Sequence, residues 1–233
     1  GSGALVTAVE TAVDMSTALG NVTVPSPVLT ASGCSSFGRE LEPFVDLAGL
    51  GAVVTKSVQL RPRSGRPTPR MAETPSGMLN SIGLQGPGID GLLAEELPWL
   101  AERGARVLVS IAGTRVEDFA ELADRLRGVP GVLGLEVNIS CPNVESRGEV
   151  FACDPVAASD VIAAVRAAAD PAQPVYAKLS PDVTDIVSVA RACTDAGADG
   201  FNCRSGGYSA LLICAQSAPM VCAWNGTRPV IIS

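Results

Sequence analysis

Five short runs of apolar, largely β-branched residues recur along the chain, and a segment with a helical pattern follows most of them. The runs occupy residues 27–30, 52–56, 107–111, 134–139 and 175–179. Nearly continuous apolar runs of this length are typical of strands buried on both faces of a parallel sheet. A strand followed by a helix, repeated along the chain, predicts an α/β fold with right-handed crossovers.

Two of the intervening helices have clear boundaries in the sequence. Asp154 followed by Pro155 is the pattern of an N-cap with proline at the first helical position, and it predicts a helix that runs to residue 169. Apolar residues at 186, 189, 190 and 193 follow helical spacing, and Gly197 marks the end of that second helix. We expect Cys193, on the apolar face, to be a small buried side chain.

Two architectures fit this alternation, the doubly wound sheet and the (β/α)8 barrel. Residues 31–36 (ASGCSS) follow the first strand without the glycine fingerprint G-x-G-x-x-G of a dinucleotide-binding fold. Lys56, Ser110, Asn138 and Lys178 each fall at the carboxyl end of a predicted strand, which is where a barrel gathers its active site. The sequence therefore favours the (β/α)8 TIM barrel.

The interval between the second and third strands is longer than one helix requires. Residues 61–70 (RPRSGRPTPR) hold four arginines and three prolines, a proline density that precludes a helix. We expect a long ordered excursion above the barrel mouth. A solvated loop or an oligomer contact explains the arginines better than an anion site does.

The chain of 233 residues contains no histidine. This excludes Ser-His-Asp and Cys-His nucleophile systems and the common histidine-containing metal sites, and no metal site is predicted. Residues 136–143 (EVNISCPN) place Asn138, Ser140, Cys141 and Asn143 within six positions. The two asparagines can bind a planar, amide-rich ligand without adding charge. A thiol with an ordinary pKa of about 8.5 can accept a proton where its thiolate is favoured, so we interpret Cys141 as the base.

The net charge of −7 and pI of about 4.7 disfavour nucleic acid as a general partner. No apolar run approaches the roughly 18 residues of a membrane span, and residues 1–14 lack the basic region of a signal peptide. The seven cysteines include no C-x-x-C pair, which argues against a disulfide framework or a zinc ribbon. We expect a soluble, cytoplasmic protein with reduced thiols.

Five segments closely resemble the class 1 dihydroorotate dehydrogenases. They are residues 55–57 (TKS), 69–70 (PR), 73–85 (ETPSGMLNSIGLQ), 138–143 (NISCPN) and 178–185 (KLSPDVTD). The form IGLQ at residues 82–85 resembles the NAD-linked branch of that class. The resemblance runs from about residue 14 to residue 200, and its motifs are long and in order.

The resemblance implies an FMN enzyme on a (β/α)8 barrel that oxidises dihydroorotate to orotate in de novo pyrimidine biosynthesis. Cys141 would remove the C5 proton of dihydroorotate while a hydride passes from C6 to flavin N5. The implied substrate-binding residues are Asn80, Ile82, Gly83, Leu84, Asn138 and Asn143. The implied FMN contacts are Ala31, Gly33, Lys56, Ser57, Asn138 and Lys178. A lysine at a strand end could aim a cation at the flavin N1 and C2 carbonyl and stabilise the reduced ring.

The NAD-linked branch passes its electrons through a partner subunit that carries FAD and an iron–sulfur cluster. The resemblance therefore implies NAD, FAD and a cluster on an electron-transfer subunit, with a homodimer or heterotetramer as the assembly. The cysteines of this chain lack the spacing of cluster ligands, in agreement with a cluster held elsewhere. A fumarate-using enzyme would share most of these motifs, which leaves the electron acceptor open. A dihydropyrimidine oxidoreductase of the same class is the alternative activity.

Two local departures and one long one separate the chain from the family pattern. Gly86 and Ser110 stand where the family often has asparagine, so one hydrogen bond to flavin or substrate is rearranged. Residues 201–233 contain no Asp, Glu or Lys but three of the seven cysteines. The family has its FMN phosphate loops in this part, and a different reading frame or an abnormal terminus explains the change better than a new domain or a relic phosphate loop at residues 205–207.

These departures predict a division of the chain into three parts. Residues 1–13 form an N-terminal extension, residues 14–200 form a partial FMN-binding barrel of five or six β/α units, and residues 201–233 form a divergent tail. A full barrel needs about 250 residues. A non-catalytic, truncated barrel with impaired FMN binding is therefore a third hypothesis.

Overall fold

A computed structural model of the chain describes residues 13–140, 151–180, 183–205, 208–209, 221–224 and 229–232. Its strands are β1 (Thr17–Leu19), β2 (Val22–Val24), β3 (Val53–Val54), β4 (Met71–Thr74), β5 (Gly77–Asn80), β6 (Val107–Ile111), β7 (Val132–Asn138), β8 (Val175–Leu179), β9 (Gly200–Ser205), β10 (Tyr208–Ser209), β11 (Val221–Trp224) and β12 (Pro229–Ile232). Its helices are α1 (Gly88–Gly91), α2 (Leu97–Glu102), α3 (Val116–Leu126), α4 (Pro155–Ala168) and α5 (Ile186–Asp195). The π-helical segment Leu92–Glu96 joins α1 to α2, and 3-10 turns occupy Leu47–Gly49 and Phe151–Cys153.

The main sheet contains five parallel strands in the order in which they occur along the chain: β3, β6, β7, β8 and β9. A parallel bridge between Leu29 and Ala52 adds the segment 27–30 beside β3. A doubly wound sheet reverses its strand order at a switch point, whereas a barrel adds each strand beside the last. The sequential order therefore identifies an arc of a (β/α) barrel, as predicted.

Helices cover one face of this arc. Side chains such as Leu100 of α2, Phe119 of α3 and Val161 of α4 are fully buried in one apolar layer with Val109 and Val137 of the sheet. One continuous layer of helices on one face is the arrangement outside a barrel, because a doubly wound sheet carries helices on both faces. Within the described part of the chain, none of these helices is long and apolar enough to cross a membrane.

Both helix boundaries that the sequence predicts are confirmed. Asp154 caps α4 by accepting a hydrogen bond from the backbone N–H of Val156 at 2.9 Å. Helix α5 ends at Asp195, and Gly197 follows with a φ of +102°, a value that favours glycine. Cys193 is fully buried on the apolar face of α5, as expected, and burial raises the pKa of its thiol to about 12.

The other face of the sheet changes character along its strands. Near the amino ends of the strands, the inner-face residues Val54, Leu108 and Tyr176 form one hydrophobic cluster with Leu19 and Val24 of the β1–β2 hairpin. Two residues further along β6 and β8 lie Ser110 and Lys178, which share the inner face because side chains alternate along a strand. Lys56 follows Val54 at the same spacing, just beyond the end of β3. The carboxyl end of the arc, here called the mouth, is therefore its polar end.

The segment between β3 and α1 is the predicted ordered excursion. Strands β4 and β5 form an antiparallel hairpin in which Met71 pairs with Asn80, and all four residues of β4 are exposed. The hairpin is followed by the helical segment 88–102, so the long interval holds a hairpin and a helix.

The sheet continues across residue 200. Strand β9 pairs in parallel with β8, and β10 folds back antiparallel on β9. Strands β11 and β12 form a separate antiparallel hairpin. The division at residues 13 and 200 stays a prediction.

Candidate active site

Buried hydroxyl and amide groups join the carboxyl ends of four successive strand segments at the mouth. Asn138, at the end of β7, donates from Nδ2 to the Ser57 Oγ at 2.8 Å. The Ser57 Oγ lies 2.9 Å from the Ser110 Oγ, and Ser32 Oγ lies 3.3 and 3.2 Å from these two oxygens. Because the Asn138 Oδ1 also accepts from Ser140 Oγ at 2.9 Å, both ends of this amide are fixed.

Charged groups follow at the next strands of the arc. The Lys178 ammonium lies 3.5 Å from the Glu136 Oε1, and the amide Nδ2 of Asn202 donates to Glu136 Oε2 at 2.6 Å. Lys178 is 7% exposed, and Glu136 and Asn202 are each 2% exposed. Strand register places Lys178 between Asn138 on one side and Asn202 on the other. The mouth is thus a continuous polar surface that runs from Ser32 to Asn202.

Residues 80–86 form the loop that is expected to bind substrate, and the arginine-rich segment 61–70 holds this loop in place. The backbone N–H of Arg66 donates to the carbonyl of Ile82 at 3.1 Å, and Arg63 and Gly86 exchange two backbone hydrogen bonds of 2.9 and 3.0 Å. Arg70 donates from its guanidinium to the side-chain carbonyl of Gln85. Three of the four arginines in residues 61–70 therefore bind this loop: Arg63, Arg66 and Arg70.

Gly83 and Leu84 in this loop both have positive φ, at +77° and +53°. A Cβ on Gly83 would lie 2.9 Å from the Arg66 backbone nitrogen, so this position requires glycine. Asn80, at the end of β5, is exposed, while Ile82 and Leu84 are half-buried. The described residues place Asn80 on the projecting hairpin and outside the hydrogen-bonded cluster around Ser57.

The remaining positions expected to contact FMN lie around the first strand segments. Ala31 accepts a hydrogen bond from the backbone of Cys34 at 3.0 Å and begins a tight turn, in which Gly33 has a φ of +85°. Lys56 is half-buried and lines a cleft of about 440 Å³ together with Gln85 and Glu96. This cleft therefore lies between the start of the excursion, at Lys56, and its end, at Gln85.

The two remaining predicted residues, Cys141 and Asn143, lie outside the described residues. Among the others, Ser57, Asn138 and Lys178 come together at the mouth. Sequence reasoning did not predict Ser32, Glu136 or Asn202 as site residues. Glu136 could have been found, because it lies two residues before Asn138 in β7 and must share its face.

The sequence of this chain matches a known family over most of its length. Residues 14–210 match the family model described as dihydroorotate dehydrogenase. The chain belongs to the dihydroorotate dehydrogenase family. This confirms the resemblance carried by the motifs at residues 55–57, 73–85, 138–143 and 178–185.

Curated members of the family are identical to the chain at about half of the aligned positions. Proteins from Pelobacter propionicus and Desulforudis audaxviator, each named dihydroorotate dehydrogenase B (NAD(+)), catalytic subunit, are both 51% identical over 189 and 185 residues. These alignments cover 81% and 79% of this chain and 62% and 60% of the relatives. The protein of the same name from Anoxybacillus flavithermus is 50% identical over 183 residues, 78% of this chain and 58% of its own. The chain spans about three fifths of the length of these dihydroorotate dehydrogenase relatives.

A solved structure supports the fold. The crystal structure of DHODH from Eimeria tenella in complex with ferulenol superposes with a TM-score of 0.63 at 19% sequence identity. The superposition covers 81% of this chain and 58% of that one. The barrel arc is therefore the arrangement found in a solved dihydroorotate dehydrogenase.

Proposed function

We propose that this chain is the catalytic part of an FMN-dependent enzyme that oxidises dihydroorotate to orotate in pyrimidine biosynthesis. The observation that carries the proposal is the mouth itself, where the buried Lys178 lies opposite Asn138 in the register of β7 and β8. A fixed neutral amide beside a buried cation suits a planar, electron-accepting ring next to an amide-rich substrate. Family membership over residues 14–210 supports the same activity.

The polar groups left over at the mouth fit a flavin. Glu136 is the one acceptor that the described residues offer to the Lys178 ammonium, which carries three N–H donors. The buried Oδ1 of Asn202 has no hydrogen-bond partner among the described residues. The pyrimidine edge of a flavin offers both carbonyl acceptors and an N–H donor. The residues that would hold FMN are Ala31, Gly33, Lys56, Ser57, Asn138 and Lys178, and the bound FMN would supply the acceptor for the electrons that leave the substrate.

The chain's own residues would bind the substrate and move its proton. Asn138 presents a side chain whose two ends are already fixed, so little conformational freedom is lost on binding. The tethered loop would supply Asn80, Ile82, Gly83 and Leu84, and Asn143 would complete the site. Cys141 would take the C5 proton, as the match of residues 138–143 to the family motif implies, and the chain has no histidine that could compete for this role.

An electron-transfer subunit would complete the reaction. The similar proteins are named dihydroorotate dehydrogenase B (NAD(+)), catalytic subunit, and that name supports a partner subunit. The resemblance to the NAD-linked branch implies that this partner carries FAD and an iron–sulfur cluster. We propose such a partner for this chain, a homodimeric or heterotetrameric assembly, and a cytoplasmic location.

Flavin binding and substrate oxidation test the proposal in one preparation. The purified chain is incubated with FMN, freed of unbound flavin and mixed without oxygen with dihydroorotate or dihydrouracil. We expect bound FMN whose visible absorbance is bleached by dihydroorotate. Bleaching by dihydrouracil alone would instead indicate a dihydropyrimidine oxidoreductase. A chain that melts cooperatively but does not retain FMN would contradict the proposal and support a non-catalytic barrel.

A further inference from the structure

Glu136 and Lys178 form an unusual ion pair. Among the ion pairs of the described residues, it is the one in which both side chains are at least nine-tenths buried, at 2% and 9% exposure. Each of the other pairs, such as Arg39 with Glu96 and Arg125 with Asp90, has at least one side chain that is a third or more exposed. Glu136 takes no part in the proton transfer or substrate contacts proposed above.

The carboxylate of Glu136 bridges two neighbouring strands. Its Oε1 faces the Lys178 ammonium on β8 at 3.5 Å, and its Oε2 accepts from Asn202 on β9 at 2.6 Å. Lys178 and Asn202 are direct partners in the register of β8 and β9. The short bond to Asn202 fixes the carboxylate, while the long contact to Lys178 leaves the ammonium N–H groups available to another acceptor.

Stability does not explain this arrangement. Taking two charges out of water costs free energy that their mutual attraction often fails to recover, and well-packed apolar replacements are frequently as stable. The same face of β6 and β8 carries members of the hydrophobic cluster, Leu108 and Tyr176, two positions nearer the amino ends. The buried Glu136–Lys178 pair lies where the hydrophobic cluster of the inner face ends and the mouth begins. Its position therefore suits contact with a ligand bound in the mouth.

We propose that Glu136 is a positioning residue that acts through Lys178, holding its ammonium where it meets the electronegative edge of the bound flavin. Asn202 anchors the carboxylate from the far side. The inference rests on the proposed function, because it assigns a role toward FMN to residues that touch each other and not the substrate.

A double-mutant cycle on FMN affinity tests the role. Glu136→Met, Lys178→Met and the double variant keep similar side-chain volume, and the matched control Glu95→Met makes the same change at an exposed glutamate. The dissociation constant of FMN is measured on the apo chain by quenching of flavin fluorescence, and the melting temperature is recorded without FMN. We expect Glu136→Met to weaken FMN binding at least tenfold when Lys178 is present and less than twofold when position 178 is methionine. Glu95→Met should leave the affinity unchanged.

Two conservative variants keep the inference testable if Glu136→Met does not fold. Glu136→Gln retains an acceptor for the ammonium and should bind FMN within about threefold of the unaltered chain. Glu136→Asp retains the charge but withdraws the carboxylate, and should lose affinity severalfold only when Lys178 is present. Affinity that is unaffected by Glu136→Met and Glu136→Asp, with a lowered melting temperature, would overturn the inference and leave Glu136 a structural residue. An unaltered chain that binds no FMN would overturn the proposed function and this inference together.

Discussion

The two ends of the inner face are built from the same strands and have opposite roles. On β6, Leu108 belongs to the apolar cluster and Ser110 belongs to the hydroxyl cluster, although both are fully buried and only one residue separates them. On β8, Tyr176 and Lys178 show the same change. The amino end stabilises the barrel by apolar burial, whereas the mouth buries polar groups that need partners and ligands.

The largest effect is expected at the mouth, from Cys141→Ala. Loss of a general base typically lowers the rate by about 10²–10⁴-fold. Turnover of dihydroorotate should fall by that factor, while FMN and orotate still bind. The control is Cys193→Ala, which removes a thiol that is buried in the helical layer and should leave turnover per folded molecule unchanged. Equal turnover for Cys141→Ala and the unaltered chain would mean that Cys141 only packs.

Leu108→Ala and Ser110→Ala separate the two ends within one strand. Leu108→Ala removes a fully buried side chain from the amino-end cluster and should lower the free energy of unfolding by about 2–5 kcal/mol. Ser110→Ala breaks hydrogen bonds to Ser57 and Ser32 and should cost only about 1 kcal/mol. Urea unfolding of both variants measures the difference. Orotate binding should show the reverse order, and a larger effect of Leu108→Ala on binding would contradict the division of roles.

Much of the fold could be predicted because a strand that is buried on both faces appears in the sequence as a short continuous run of apolar residues. Residues 107–111 and 175–179 are apolar enough to be recognised, and they coincide with β6 and β8. The sequence predicts one strand over residues 52–56, but β3 covers only Val53–Val54, because the backbone N–H of Lys56 donates to Ser36 and not to β6. The β4–β5 hairpin could not be recognised from alternation, because both of its faces are exposed along β4.

The site was predictable only in part, because a polar residue shows its partner only in three dimensions. Asn138 and Lys178 were found from their place at strand ends, and the structure sets them side by side. Asn202 was missed since it falls in the stretch whose composition departs from the rest of the chain. Its amide nevertheless reaches Glu136 across two strands, a contact between residues 66 positions apart.

Gly83→Ala tests whether the mouth depends on a loop conformation as much as on its strands. Alanine at a φ of +77° costs about 1–2 kcal/mol, and its Cβ would approach the Arg66 backbone nitrogen at 2.9 Å. We expect weaker orotate binding and a small loss of stability. Gly86→Ala is the matched control, because a Cβ there would meet nothing within 4 Å. Equal binding by the two variants would show that the loop adjusts freely.

The smallest expected effect is on stability and comes from Asp118. This buried carboxylate lies beside the mouth and stabilises the fold. Its Oδ2 accepts hydrogen bonds from the Thr114 backbone and hydroxyl at 2.9 and 2.8 Å and from the Arg115 backbone at 3.1 Å, at the start of α3. Burial alone would raise the pKa of Asp118, but the hydrogen bonds from Thr114 and Arg115 outweigh it and hold the pKa below its ordinary value.

A lowered pKa in the folded state means that Asp118 stabilises the protein above its unfolded pKa of about 4, and that this contribution is lost as the pH falls through the folded value. Asp118→Asn should therefore cost about 1 kcal/mol near neutral pH, and the difference from the unaltered chain should shrink below about pH 4. Thermal unfolding across this range measures it, with Asp124→Asn on the exposed side of α3 as the control. A stability difference that persists undiminished in acid would show that Asp118 contributes through packing and not through its charge. The connection after β6 would then be stabilised by packing, like the amino end of the barrel.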